Sequence, residues 1–117
     1  MNRIVVADDD IDIADLYAYS LEVAGHTVHT AVDGVSALQL VRQFLPDLVV
    51  LDQNMPGLTG LEVAAALRSD SRTADLPILM VTANGPKNAA ALVDRLLTKP
   101  LAPRQLLGTM RDMLPHT

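Results

Sequence analysis

Apolar residues along this chain gather into short continuous runs, separated by stretches in which they recur every three or four positions. RIVVA (3–7), HTVHTA (26–31), DLVVLD (47–52) and PILMVT (77–82) have the length of strands and are rich in Val, Ile, Leu and Thr, with RLLT (95–98) a weaker fifth. The runs at 4–6, 48–51 and 78–81 are apolar at every position rather than at alternate ones, as in strands covered on both faces. Between the runs lie helical patterns. Ile13, Leu16, Tyr17, Leu21 and Ala24 share one face of a first helix that Gly25 is placed to end. Ser36 to Leu45 forms a second, closed by Pro46. Thr59 to Ser69 forms a third, with Thr59 as N-cap and Glu62 completing a capping box. Pro103 opens a last helix whose apolar stripe is Leu106, Leu107, Met110 and Leu114. Strand and helix alternate, which predicts an α/β fold: right-handed βαβ units around a parallel sheet, with helices on both faces.

Composition narrows this picture. A chain of 117 residues fits one domain, so residues 1–117 read as a single unit without repeat or linker. Half of it is apolar, yet Tyr17, Tyr19 and Phe44 are its only aromatic residues, so the core is aliphatic. A net charge of −5 argues against direct nucleic-acid binding, which needs a basic face. With no cysteine there is neither a disulfide nor a thiolate metal site. No apolar segment reaches the length of a membrane span or a signal peptide, and the expectation is a soluble, cytoplasmic protein without membrane contact.

In an open parallel sheet the working site lies beyond the carboxyl ends of the strands. Asp8, Asp9 and Asp10 follow the first strand, Asp52 ends the third, Thr82 the fourth, and Lys99 follows the fifth. Each has an ordinary explanation. Asp10 or Asp9 would cap the next helix, Asp52 would start a turn toward Pro56-Gly57, Thr82 would be a strand residue, and Lys99 a solvated charge. Their convergence on one sheet edge changes the weighting. Clustered carboxylates suit Mg²⁺, a hard cation that relieves their repulsion and takes few protein ligands. Asp52 is then a nucleophile toward phosphorus, with Thr82 and Lys99 to hold phosphoryl oxygens.

The segments ADDDID (7–12), LDQNMPGLTG (51–60), VTA (81–83) and LTKPL (97–101), in this order and spacing, resemble the receiver domain of two-component response regulators, of which the chemotaxis receiver is the simplest example. The resemblance runs from Arg3 to Leu114. It implies a flavodoxin-like, doubly wound, five-stranded sheet of order 2-1-3-4-5. It also implies Asp52 as phosphoacceptor, Asp9 as direct metal ligand, Asp8 as an outer ligand acting through water, and the Asn54 backbone carbonyl as a further ligand. Thr82 becomes the switch hydroxyl, Lys99 the phosphate contact, and Lys99-Pro100 a cis peptide. Asn54 and Asn84 match positions that tune hydrolysis of the acyl phosphate. The implied cofactor is Mg²⁺, with Mn²⁺ as a substitute. The implied donor is the phosphohistidine of a sensor histidine kinase or phosphotransfer protein, or a small acyl phosphate. Self-phosphorylation and self-dephosphorylation are the only chemistry implied, so the chain is not expected to be an enzyme in its own right.

Two features depart from that family's pattern. Leu96 stands where the family has Tyr or Phe three residues before the lysine, so an inward-turning aromatic ring cannot report the movement of Thr82. Sixteen residues separate Thr82 from Lys99, which leaves room for only an abbreviated fourth helix within Pro86 to Val93. Both changes strike the face that commonly carries the family's output contacts. They keep open an alternative: a pseudo-receiver that acts as an interaction module without phosphorylation. A remote alternative is a haloacid-dehalogenase-type phosphatase, since Asp8 and Asp10 have its DxD spacing, although Asp12 and the acid-poor tail do not suit it. His26 and His29, three apart on a strand, point to opposite faces and read as surface residues. The scattered methionines read as core filler, except that Met55 is placed to wall the site. This sequence carries no DNA-binding or catalytic domain after Leu114, and the expectation is a stand-alone receiver or a piece of a longer regulator, with its output partner unidentified.

Overall fold

In the computed structural model, which describes residues 2–114, the continuously apolar runs are the inner strands of one sheet. β1 (Arg3–Ala7), β2 (Thr27–Ala31), β3 (Leu48–Leu51), β4 (Ile78–Thr82) and β5 (Arg95–Thr98) pair in parallel in the order β2-β1-β3-β4-β5. Every residue of β3 and β4 is buried, as is β1 from Ile4 on, whereas the edge strands β2 and β5 are mostly not. The unbroken apolar runs mark the strands with a neighbour on each side and helices above and below.

Alternation along the strands then sorts the core into two layers. Ile4, Val6, Leu48, Val50, Leu79 and Val81 face α1 (Ile11–Val23) and α4 (Pro103–Met113), meeting Tyr17, Leu21, Leu106 and Met110. Val5, Ala7, Val49, Leu51, Ile78 and Met80 face α2 (Gly34–Phe44) and α3 (Gly60–Arg68), meeting Ala37, Val41, Val63, Ala64 and Leu67. Each fully buried aliphatic side chain contributes about 1.5–3 kcal/mol to folding. The helix ends follow local chemistry. Asp10 caps α1, and Gly25 beyond its end has φ +99°. Thr59 and Glu62 form the reciprocal capping box of α3.

Three expectations need correction. The buried face of α1 is Ala14, Tyr17, Ala18 and Leu21, while Leu16 is 50% exposed and Ala24 lies at the exposed C-cap. Small alanines let α1 approach the sheet closely, so hydropathy alone misjudges the rotation of the helix. His26 and His29 are half-buried rather than on the surface: His29 stacks on Phe44, and His26 precedes β2 with Nδ1 buried. The fourth helix is shorter still than expected, a single 3-10 turn at Ala89–Ala91. Asn88, at φ +67°, breaks the helical path just before it.

Arg68, at the end of α3, secures the linker 83–94 between β4 and β5. Its Nε donates to Leu92 O (3.0 Å), Nη1 to Ala74 O (3.0 Å) and Leu76 O (2.6 Å), and Nη2 to Asp94 Oδ2 (2.9 Å). Asp94 Oδ2 also accepts from the Ile78 amide at 2.8 Å. One guanidinium thus ties α3 to the entrances of β4 and β5. Arg68→Ala is expected to lower stability in urea unfolding by about 3 kcal/mol, because three carbonyls lose a charged donor. Asp94→Asn, at a half-exposed carboxylate, should cost about 1 kcal/mol or less. Equal losses for the two variants would contradict this division.

Candidate functional site

The sheet ladder continues one residue past three strand ends, and those three residues carry the candidate chemistry. Asp8 N donates to Ala31 O (3.0 Å), Asp52 N to Ala7 O (2.9 Å) and Lys99 N to Thr82 O (3.0 Å). The backbones of Asp8, Asp52 and Lys99 are therefore fixed by neighbouring strands, and their side chains leave the sheet along one edge.

The side chains meet there. Lys99 Nζ donates to Asp8 Oδ2 at 2.6 Å and to Asp52 Oδ2 at 2.9 Å. Asp8 and Asp52 are only 3% and 6% exposed. Asp8 Oδ1 accepts from the Asp10 amide at 3.0 Å, and Asp52 Oδ1 from the Asn54 amide at 3.4 Å. Burial raises the Asp8 pKa, an effect that the hydrogen bonds from Lys99 and Asp10 only partly offset. Burial also works against the charge on Lys99, but its bonds to the two carboxylates prevail and raise its pKa. One ammonium therefore serves two buried acids. Exposed Asp9 adds a third, and ligand oxygens of Asp8, Asp9 and Asp52 lie within 4.8 Å of one another. An all-carboxylate, hard-oxygen set with excess negative charge fits Mg²⁺.

The remaining candidates fall around this centre. Thr82 closes β4 with its hydroxyl buried and without a partner among the described residues. A buried hydroxyl in that condition costs free energy unless something fills its place. Asn54 lies in the loop after β3 and Asn84 in the exposed turn after β4. The Lys99-Pro100 peptide is cis. Asp10 stands apart from the cluster: its Oδ1 accepts from Asp12 N (3.0 Å) and Ile13 N (3.3 Å) as the cap of α1. Met55 is packed in the core layer with Val5 and Met80 rather than serving as a wall of the site alone. Leu96 is 41% exposed and lies against Gly85, where a Cβ would come within 2.7 Å of its Cδ2.

Sequence reasoning missed two supports. Gly60 packs so tightly against the Asp52 carbonyl oxygen that no Cβ fits, and Gln53 Oε1 holds the Leu61 amide at 2.9 Å. Together they pin the loop after the central carboxylate to the start of α3. Tyr17, read from the sequence only as a core position, lies beneath Lys99 with its hydroxyl toward Leu101 O. Its being the sole aromatic on the inner face of α1 was the available signal.

Residues 4–111 match the family model of the response regulator receiver domain. The chain is 41% identical over 122 residues to the DNA-binding dual master transcriptional regulator RpaA of Synechocystis sp., a match covering 100% of this chain and 51% of that protein. It is 44% identical over 120 residues to the response regulator MprA of Mycobacterium sp., covering 98% of this chain and 51% of that protein. It thus spans about half the length of the curated relatives it matches. Among solved structures, the chemotaxis response regulator CheY4 of Vibrio cholerae superposes with a TM-score of 0.90 at 34% identity, covering 97% of this chain and 99% of that one. These matches displace the phosphatase alternative, whose DxD reading also fails because the Asp10 carboxylate is committed to capping α1.

The raised pKa of Asp8 has a sign that can be measured. The folded, metal-free protein holds this proton more tightly than the unfolded chain does. The resulting stability is complete below the ordinary carboxylate range and is lost as pH rises through the folded value. At neutral pH in chelator, Asp8→Asn should therefore unfold at a higher temperature than the wild type. Saturating Mg²⁺ should reverse the order by stabilising only the wild type. An Asp8→Asn variant that is less stable in chelator would contradict this account.

Proposed function

The chain belongs to the response regulator receiver domain family, and from that premise we propose that Asp52 is its phosphoacceptor, with Asp8, Asp9 and the Asn54 carbonyl completing a Mg²⁺ site. The observation that carries this reading is the sharing of Lys99 by two buried carboxylates, with the unpartnered Thr82 hydroxyl at the same sheet edge. An Asp52 carboxylate oxygen attacks phosphorus as the bond to the donor's imidazole nitrogen breaks, and the departing imidazole takes up a proton. Mg²⁺, when bound, screens the negative charge between the carboxylates and the incoming phosphoryl oxygens. Formation of the acyl phosphate removes the Asp52 carboxylate as a full anionic partner for Lys99, whose ammonium then holds a phosphoryl oxygen. Thr82 donates its hydroxyl to another, satisfying a group that is otherwise buried without a bond. Asn54, two residues past Asp52, and Asn84, two residues past Thr82, match the positions that tune hydrolysis of the acyl phosphate in this family.

The donor is a phosphohistidine on a sensor kinase or phosphotransfer protein. A histidine carried on another protein reaches Asp52 only if that protein covers the mouth of the site. The surface there is apolar: Ile13 and Leu16 of α1 face Ala83, Pro100 and Leu101 across a groove beside Lys99. Exposed Tyr19 and Val23 extend it along α1. RpaA is described as DNA-binding. A net charge of −5 opposes such contact by this chain itself, so its output passes through another partner or segment. No helix of the described residues is long and apolar enough to cross a membrane.

Leu96 and the shortened fourth helix favour a second reading, the pseudo-receiver. Intact mass after incubation with acetyl phosphate and Mg²⁺ separates the two. The wild type should gain one phosphoryl group and Asp52→Asn none. Lys99→Ala and Thr82→Ala should gain it at least about tenfold more slowly. An adduct that persists in Asp52→Asn, or none with any donor or cognate kinase, would sink the phosphoacceptor assignment.

A further inference from the structure

Lys99 Nζ must be aimed between two carboxylates, and it stands at the end of a long flexible stem. Its aim depends on the backbone that carries it. The Lys99 amide is held by Thr82 O at 3.0 Å. Beyond it the chain leaves the sheet, and the next side-chain anchor comes from α1. The Tyr17 hydroxyl donates to Leu101 O, two residues past Lys99, at a long 3.5 Å and across 84 positions of sequence.

Tyr17 is 3% exposed, with its ring in the core layer beside Val6, Leu21 and Leu106. The ring is packed within the core, and a buried tyrosine hydroxyl seeks a partner. The same ring lines the groove whose other wall is Lys99, Pro100 and Leu101. α1 also begins at the Asp10 cap, directly after Asp8 and Asp9. One rigid helix is therefore anchored at one end to the acidic cluster and on its inner face to the turn that carries the lysine.

We propose that Tyr17 is a positioning residue for Lys99: its hydroxyl fixes the Leu101 carbonyl, and with it the turn that aims Nζ between Asp8 and Asp52. The kinetic consequence rests on the reading of Asp52 as phosphoacceptor, while the geometric claim does not. Tyr17→Phe keeps the ring and removes only the hydroxyl. It should slow phosphorylation by acetyl phosphate about two- to threefold, the low end of what one neutral hydrogen bond supports. In a Lys99→Ala background the same substitution should have no further effect, because it acts through the lysine. The chain has two lysines, Lys87 and Lys99, so side-chain NMR of lysine-labelled protein resolves the site directly. Tyr17→Phe should shift or broaden the Lys99 resonance and leave Lys87 in place. An unmoved Lys99 resonance would overturn the proposal, as would an equal loss of rate in the Lys99→Ala background. Should the wild type accept no phosphoryl group, the phosphoacceptor reading fails and the Lys99 resonance alone decides the role of Tyr17.

Discussion

Two carboxylates buried side by side are the constraint on which the rest of this structure depends. Asp8 and Asp52 are almost inaccessible to water, and a single ammonium, Lys99 Nζ, bonds both. Removing any of these charges from water costs several kcal/mol, which their attraction recovers only with close geometry. One positive charge between two negative ones, with Asp9 adjacent, leaves an excess of negative charge that suits a divalent cation. The cluster is held together at the expense of stability.

Such crowding needs a stiff frame, and the parallel sheet supplies it. Asp8, Asp52 and Lys99 each follow a strand and each give their amide to the neighbouring strand's last carbonyl, so three distant segments meet in fixed register. Gly60 lets α3 start against the Asp52 carbonyl, where any side chain would collide with the Asp52 backbone. The opposite end of β4 and β5 is bound by Arg68 in place of a packed helix. This leaves a rigid carboxylate-lysine edge beside a thinly covered β5, where the half-exposed Leu96 rests on Gly85 at a place no larger residue could occupy without displacing it.

Much of this was legible in the residues. Unbroken apolar runs distinguished central strands from edges because only central strands are covered on both sides. Asp10, Thr59 and Glu62 announced helix starts through local bonds within three residues, which a sequence displays directly. What escaped depends on distance or on shape. The inner face of α1 turns on Ala14 and Ala18, whose small size allows close approach but whose hydropathy says little. The reduction of the fourth helix to one 3-10 turn goes with the left-handed backbone of Asn88, which no apolar pattern marks. Arg68 and Tyr17 act on carbonyls far along the chain, which no spacing rule encodes.

The central claim is that the Lys99-bridged carboxylates and the orphan Thr82 hydroxyl form one phosphoryl-binding site. A crystal structure of the protein with Mg²⁺ and beryllium fluoride, a phosphoryl mimic that bonds to carboxylates, tests it most directly. The account predicts the fluoride adduct on Asp52, Mg²⁺ among Asp8, Asp9 and Asp52, and fluorines bonded to Lys99 Nζ and Thr82 Oγ1. Beryllium fluoride absent from Asp52, or bound there while the Thr82 hydroxyl remains unpartnered and Lys99 stays on Asp8, would contradict it.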